Sequence, residues 1–174
     1  MAIFDIITYP DERIRTPCDP VERFDTELEQ FMHSLEETMR AGPGGVGIAA
    51  PQVGHFIRAV IVDVSSKPKI ANHGRIVLIN PEIQHWEGMS KGREGCMSVP
   101  DYTGDVMRAK SIKVKGYDLK GNTIEYESSG FEARAIQHEI DHLDGLLFLD
   151  RLISRHNDLY KRKNYQQPRQ QPTE

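Results

Sequence analysis

The sequence predicts an α+β fold in which mixed or antiparallel β-sheets pack around a central helix carrying the pattern H-E-x-x-H, with an amphipathic helix nearer the N-terminus. Two segments with helical spacing of apolar residues, and several β-branched or alternating runs that end at turn residues, favour this class. With 174 residues and 38% apolar content, the chain is long enough for one core and short for two. We therefore expect one domain over residues 1–154 and a polar tail or frayed helix over residues 155–174.

The first predicted helix runs from Thr26 to Met39. Thr26 and Glu29 fit a capping box at its start, and a Gly-Pro pair follows its end. Its apolar residues recur at helical spacing and are Leu28, Phe31, Met32, Leu35 and Met39. The next segment, Ala41 to Gly54, is rich in glycine and alanine, which suits backbone that another group approaches closely.

Four segments are predicted strands. Ile57 to Val64 and Arg75 to Asn80 are β-branched runs bounded by turn residues. Ser111 to Asp118 and Thr123 to Glu127 alternate apolar with polar residues around the turn-forming Lys120-Gly121-Asn122. The last two segments therefore predict a hairpin.

The second predicted helix carries the most informative pattern of the chain. It should open with a capping box at Ser129 and Glu132 and stop at Gly145. Within it, residues 138–142 read His-Glu-Ile-Asp-His, so two imidazoles one turn apart can hold one metal ion. Glu139 would then lie beside the open coordination position, as a hydrolytic site needs.

Two faces of this helix differ in character. Its main apolar stripe lies nearly opposite the histidines and comprises Ala133, Ile136, Ile140, Leu143 and Leu147. Phe131 and Ala135 fall on the histidine side, where a small Ala135 leaves room beside a metal and Phe131 would floor an apolar pocket. We expect one face to pack on a sheet and the other to line a cavity.

A catalytic metal of this type takes a third protein ligand and leaves a fourth position to water. The extended protease pattern H-E-x-x-H-x-x-G-x-x-H fails because Phe148 occupies its last position. A later glutamate is also lacking, since the only one after Glu139 is Glu174 at the chain's end. Asp150 and His156 stay open as downstream candidates.

Upstream, Cys96 is the stronger of two candidate thiol ligands. It lies between apolar runs in a glycine-containing segment that would let a thiolate enter a crowded site. Cys18 lies in a polar, proline-flanked stretch and is the weaker candidate. We expect no disulfide between them, because the N-terminus has no secretory pattern and the protein should stay in a reducing cytoplasm.

Composition argues against two classes of partner. The formal net charge is −4, from 22 Lys and Arg against 26 Asp and Glu, which is not the basic balance of a nucleic-acid-binding protein. No segment has the apolar length of a membrane span. We expect neither a specific nucleic acid nor a membrane as partner.

Three segments together resemble the peptide deformylase family. That family's motifs are Gly-x-Gly-Φ-Ala-Ala-x-Gln (Φ apolar), Glu-Gly-Cys-x-Ser and Gln-His-Glu-x-x-His. Residues 45–52, 94–98 and 137–142 match them in the same order, and the similarity extends over about residues 9–152. The one departure is Met97, where the family usually has Leu.

The resemblance implies a metal-dependent hydrolase that removes the N-formyl group from the N-terminal methionine of newly synthesised proteins and releases formate. Cys96, His138 and His142 would be the metal ligands, and Glu139 the general acid and base. The native ion implied is Fe(II), although this ligand set also suits Zn, Ni or Co.

The resemblance also implies how the substrate is bound. Gln52 and the backbone N–H of Met97 would donate to the developing oxyanion, while Gly47 and Gly95 would pair with the substrate backbone. We expect the substrate methionine to occupy a pocket lined by Val46, Phe131, Ala135 and His138.

Two other interpretations of the metal motif remain open at this level. An endopeptidase uses the same H-E-x-x-H chemistry, and a non-catalytic domain can hold a structural metal. The basic residues Lys161, Arg162 and Lys163 suggest a weak contact with the ribosome, which a solvated helix end explains equally well.

Overall fold

The structure is a computed structural model that describes residues 3–162. Within these residues the chain forms three α-helices, six β-strands and short 3-10 turns. The helices are α1 (Thr26–Ala41), α2 (Gly130–Leu143) and α3 (Arg155–Asp158). The strands are β1 (Gly47–Ala49), β2 (Ala59–Val62), β3 (Ile76–Cys96), β4 (Val99–Tyr117), β5 (Thr123–Ser129) and β6 (Leu159–Lys161).

The named strands form one antiparallel sheet. Their order is β1-β2-β3-β4-β5, and β6 pairs with β4. The predicted hairpin is present as β4 and β5, with Val114 opposite Tyr126. An antiparallel sheet with helices agrees with the predicted α+β class.

Helix α1 covers one side of the sheet through fully buried Met32, Leu35 and Met39. The predicted capping box at Thr26 was wrong. Asp25 caps the helix instead, and its carboxylate accepts a hydrogen bond from the Leu28 N–H at 3.0 Å. A carboxylate is favoured at this place because it also meets the positive end of the helix dipole.

Helix α2 packs Ala133, Ile136, Ile140 and Leu143 of its predicted apolar stripe against β2, β3 and β4 in the main core cluster. Leu147, the last predicted member, lies beyond the helix and packs in another cluster. Its predicted capping box was also wrong, because the Ser129 side chain makes no capping bond. The Glu132 carboxylate instead accepts hydrogen bonds from Ser128 Oγ at 2.7 Å and from the His73 N–H at 2.6 Å. The helix ends where Gly145 adopts a φ of 77°, as predicted for a glycine stop.

Strands β3 and β4 are far longer than the sequence predicted. The predicted runs Arg75 to Asn80 and Ser111 to Asp118 cover only the base of a hairpin whose strands have 21 and 19 residues. Residues 82–89 are all exposed, so neither face of that segment is marked by alternating apolar residues. Cys96 is therefore the last residue of a strand and not part of a loop.

The predicted tail begins as ordered structure. Residues 155–161 form α3 and β6, and β6 pairs with β4 with Tyr160 opposite Thr103. Backbone pairing of this kind explains why the segment is neither a frayed helix nor a free tail. Residues 163–174, which complete the predicted tail, lie outside the described residues. Within the described part, no helix is long and apolar enough to cross a membrane.

Candidate active site

Three buried side chains converge between the end of β3 and helix α2. The donor atoms of Cys96, His138 and His142 all lie within 4.8 Å of one another. Cys96 Sγ is 3.4 Å from His142 Nε2, and the two imidazole rings are 5.1 Å apart at 70°. Among the described residues this is the one His, Cys, Asp or Glu group compact enough to share a metal ion. Asp150 lies elsewhere, paired with Arg15 at 2.7 Å.

A buried carboxylate fixes one of these ligands. Glu94, two residues before Cys96, accepts a hydrogen bond from His138 Nδ1 at 2.8 Å. This contact places a proton of His138 on Nδ1, so Nε2 is the ring atom that could bind a metal ion. Arg108 donates to both Glu94 oxygens at 2.9 Å, and Arg134 donates to one at 2.8 Å.

The same network continues to the buried Asp141 of α2. Arg108 also donates to Asp141 at 2.6 Å, and Arg151 binds Asp141 through two bonds of 2.8 and 3.0 Å. Burial opposes ionisation of Glu94, but His138 and Arg108 outweigh it and hold the pKa of this carboxyl well below its usual range. The network therefore joins β3, β4 and α2 through ionised groups.

The pKa of the Glu139 carboxyl is shifted in the opposite direction to that of Glu94. Glu139 is 4% exposed, and its Oε1 has no hydrogen-bond partner among residues 3–162. Burial raises the pKa of its carboxyl to about 7, despite the opposing charge of His138. A carboxyl in this range can both accept and return a proton near neutral pH.

The histidine rings are also perturbed in opposite directions. Burial opposes protonation of His138, but the neighbouring Glu139 carboxylate and Cys96 Sγ raise its pKa well above the usual value. Burial and the charge of His138 lower the pKa of His142 well below the usual value.

Gln52 reaches the cluster from the 3-10 turn Ala50–Val53 that follows β1. Its Oε1 accepts a hydrogen bond from the Ala49 N–H at 2.9 Å, which fixes the orientation of the amide. The Nε2 group therefore points at Ser98 Oγ, 3.0 Å away, and at Cys96 Sγ, 3.5 Å away.

A cavity of about 270 Å³ opens onto these groups. Its lining contains Gln52, Cys96, His138 and Glu139, together with the predicted substrate-binding residues Val46, Gly47, Gly95, Met97, Phe131 and Ala135. His142, the third member of the group, is not part of this lining and is 1% exposed. The predicted site residues thus lie together around one cavity or its cluster.

Several residues of the site had no role in the sequence-based prediction. Glu94 and Asp141 lay inside the motifs, where their acidic character was a signal that could have assigned them to support of the histidines. Arg108 and Arg134 gave no local signal, because only tertiary structure brings them to Glu94. Cys18 is a buried free thiol outside this group of ligand atoms, and burial raises its pKa to about 11.

Comparisons with known proteins agree on one family. The family model described as polypeptide deformylase matches residues 3–158. A peptide deformylase from Thermodesulfovibrio yellowstonii is 42% identical, covering 94% of this chain and 97% of the relative. One from Desulforudis audaxviator is 44% identical, covering 94% and 99%.

Solved structures give the same result. A peptide deformylase from Legionella pneumophila superposes with a TM-score of 0.80 at 40% identity, covering 87% of this chain and 86% of the other. A Met-Ala-Ser-bound class I type b peptide deformylase from Acinetobacter baumannii has a TM-score of 0.81 at 36% identity, covering 87% and 99%.

The fold and the site together define a metal-dependent hydrolase of amides. The chain belongs to the peptide deformylase family. It is an enzyme that removes the N-formyl group from newly synthesised proteins.

Proposed function

We propose that Cys96, His138 and His142 bind one divalent metal ion at which the formyl amide is hydrolysed. The observation that carries the proposal is the buried triad, with His138 Nδ1 already committed to Glu94. One soft sulfur and two imidazoles suit a first-row transition metal, and three protein ligands leave a position for water. When bound, such an ion polarises the formyl oxygen and acidifies water.

Glu139 is proposed as the group that moves protons. It is adjacent to His138 in sequence and lines the cavity, and no hydrogen bond from the described part of the chain reaches its Oε1. Its carboxylate takes a proton from the attacking water and returns it to the departing amine, so that formate and a free N-terminus result. The protein remains without a covalent adduct throughout.

Gln52 and Met97 are proposed to stabilise the charge that develops on the formyl oxygen. The Gln52 amide presents its N–H groups to the cluster because its oxygen is held by Ala49. Met97 lines the same cavity directly after Cys96, where its backbone N–H serves as the second donor. Removing one donor of this kind typically costs about 3 kcal/mol of transition-state stabilisation.

The substrate backbone is proposed to pair with the free edge of β1. Strand β1 is the outermost strand of the sheet, and the Val46 carbonyl accepts a bond from the Asp63 N–H at 2.8 Å. In an antiparallel strand the backbone N–H and C=O groups of successive residues point to opposite sides. Since those of Val46 face β2, those of Gly47 point away from β2, toward the cavity. Peptide pairing along an edge strand suits this geometry, with Gly95 on the other side.

The methionine side chain is assigned to the cavity wall formed by Val46, Phe131, Ala135 and His138. These residues line one cavity, and the Acinetobacter baumannii relative was solved with Met-Ala-Ser bound. Formyl-methionyl nascent chains are therefore the proposed substrates, and the cytoplasm, where such chains are made, is the proposed location.

Fe(II) is the proposed ion, and Zn, Ni or Co fit the same donors. The ribosome contact stays a prediction. Of its three residues, Lys161 is exposed on β6, Arg162 lines the cavity, and Lys163 lies outside the described residues.

Metal analysis combined with formate release from formyl-Met-Ala-Ser tests this proposal. The purified enzyme should contain about one transition-metal ion per chain and release formate. Glu139→Gln, which keeps size and polarity, should retain the metal and lower kcat by about a hundredfold or more, since acid–base catalysis contributes ~10²–10⁴-fold. Near-normal turnover by the metal-loaded variant would overturn the role of Glu139.

A further inference from the structure

A two-residue turn, Met97-Ser98, joins β3 to β4 at the edge of the metal-ligand cluster. Cys96, the last residue of β3, is paired with Val99, the first residue of β4. The turn therefore places a proposed ligand directly before the residue whose backbone N–H is a proposed oxyanion donor. Ser98, the second residue of the turn, is fully buried and has no part in the chemistry proposed for the site.

The Ser98 hydroxyl connects this turn to Gln52. Its Oγ accepts a hydrogen bond from Gln52 Nε2 at 3.0 Å, while Gln52 Oε1 accepts one from the Ala49 N–H at 2.9 Å. The terminal torsion of a glutamine is broad, so an amide held only at its oxygen could turn about that bond. Ser98 opposes this rotation. Because a primary amide has two N–H bonds, one is left to face the cluster, where Nε2 is 3.5 Å from Cys96 Sγ.

The backbones on both sides of this contact are held by one N-terminal segment. The Ile7 N–H donates to the Gln52 carbonyl at 2.7 Å, and the Tyr9 N–H donates to the Ser98 carbonyl at 2.7 Å. Residues 7–9 therefore keep the two segments side by side. The Ser98 hydroxyl then fixes the Gln52 amide relative to the turn.

We infer that Ser98 is a positioning residue that aligns the Gln52 amide with the Met97 N–H, so that both donors meet the same oxygen. The inference rests on the proposed function, because it takes these two groups to bind the developing oxyanion. Two donors stabilise one oxyanion only when each lies about 3 Å from it. Ser98 can align them because it adjoins Met97 in the chain and bonds Gln52 through its side chain.

Kinetics of Ser98→Ala test the inference. The variant should release formate from formyl-Met-Ala-Ser with kcat lowered about tenfold, as for loss of one uncharged hydrogen bond. KM should change little, because the donors act on charge that develops only in the transition state.

Ser128→Ala is the matched control. It also removes a buried serine hydroxyl, one that donates to Glu132 at 2.7 Å and does not contact Gln52. Its kcat should stay within about twofold of the wild-type value, since surroundings of the oxyanion donors are unchanged. Urea unfolding of both variants measures any loss of stability separately from kcat.

A double-mutant cycle with Gln52→Ala separates alignment of the amide from general support of the turn. Without Gln52, Ser98 has no amide to hold, so adding Ser98→Ala should lower kcat by less than about twofold. A hydroxyl that only stabilised the turn would lower kcat by the same factor with and without Gln52.

The Gln52 side-chain amide provides a measurement that needs no metal. In ¹H–¹⁵N spectra of the metal-free protein, its two N–H signals are identified by their loss in Gln52→Ala. Ser98→Ala should move these signals toward the positions of free glutamine amides, and Ser128→Ala should leave them in place.

Three results would overturn the inference: kcat of Ser98→Ala within about twofold of the wild type, an equal loss of kcat with and without Gln52, or unchanged Gln52 signals in Ser98→Ala. Failure of the metal-loaded wild-type enzyme to release formate would instead defeat the proposed function.

Discussion

Replacing Glu94 by Gln should damage both folding and metal binding. The Glu94 carboxylate accepts four hydrogen bonds, from Arg108 Nε and Nη2, Arg134 Nη1 and His138 Nδ1, at 2.8–2.9 Å. The Gln side chain has one acceptor oxygen in place of two. Its NH2 group would face the N–H groups of the arginines and the histidine, with which it cannot form hydrogen bonds. It also removes the negative charge between two buried guanidiniums.

The loss of stability in Glu94→Gln can be estimated from the hydrogen bonds that the two arginines keep. Breaking a buried ion pair from one side typically costs about 3–5 kcal/mol. Arg108 keeps Asp141, and Arg134 keeps the carbonyls of Val106 and Ser90 at 2.8 Å, so the lower end applies. We expect about 3 kcal/mol less stability, together with a 10–100-fold weaker metal affinity from the lost His138 contact.

Urea unfolding followed by far-UV circular dichroism, and metal titration of the folded protein, measure the two effects. Glu87→Gln is the matched control, because Glu87 lies on the same strand, is exposed, and has exposed His85 as its ion-pair partner within residues 3–162. Its stability should stay within about 0.5 kcal/mol of the wild type. A loss below about 1 kcal/mol in Glu94→Gln would refute the view that this carboxylate organises the site.

Two further substitutions test the cavity. A Cβ at residue 47 would lie 2.6 Å from Oε2 of Glu139, so Gly47→Ala should displace that carboxylate and lower kcat about a hundredfold; unchanged kcat would show that Glu139 has another productive position. Ala135→Phe should fill the methionine pocket and raise KM at least about tenfold for formyl-Met peptides. The effect on formyl-Gly peptides should be smaller. Equal effects on both kinds of peptide would show that Ala135 does not line the methionine pocket.

Sequence patterns predicted best where one face of an element is buried. The apolar stripe of α2 and the alternation of β4 and β5 record contact with a core, and both were recovered. The exposed part of β3, residues 82–89, has no buried face and gave no signal. The capping errors have a different origin, since Asp25 and Thr26 are both acceptable caps and the choice depends on where the chain enters the helix.

The site shows the same division. Cys96 was predicted as the third ligand because the histidine or glutamate that usually follows H-E-x-x-H in proteases is lacking in this chain. Arg108 and Arg134 reach Glu94 from 14 and 40 residues away, and nothing in their local sequence marks them as partners. The ordered β6 strand was missed because its three residues, Leu159–Lys161, are too few to show a periodicity, and the strand depends on β4 for its pairing.

The ionised network around Glu94 has a practical consequence for handling the enzyme. Small zinc domains unfold without their ion, because few other bonds hold the ligands together. Here Glu94 and Arg108 already join the strand that ends at Cys96 to helix α2. We therefore expect the protein to keep the three proposed ligands assembled without the ion, so that dialysis should exchange one ion for another without a refolding step.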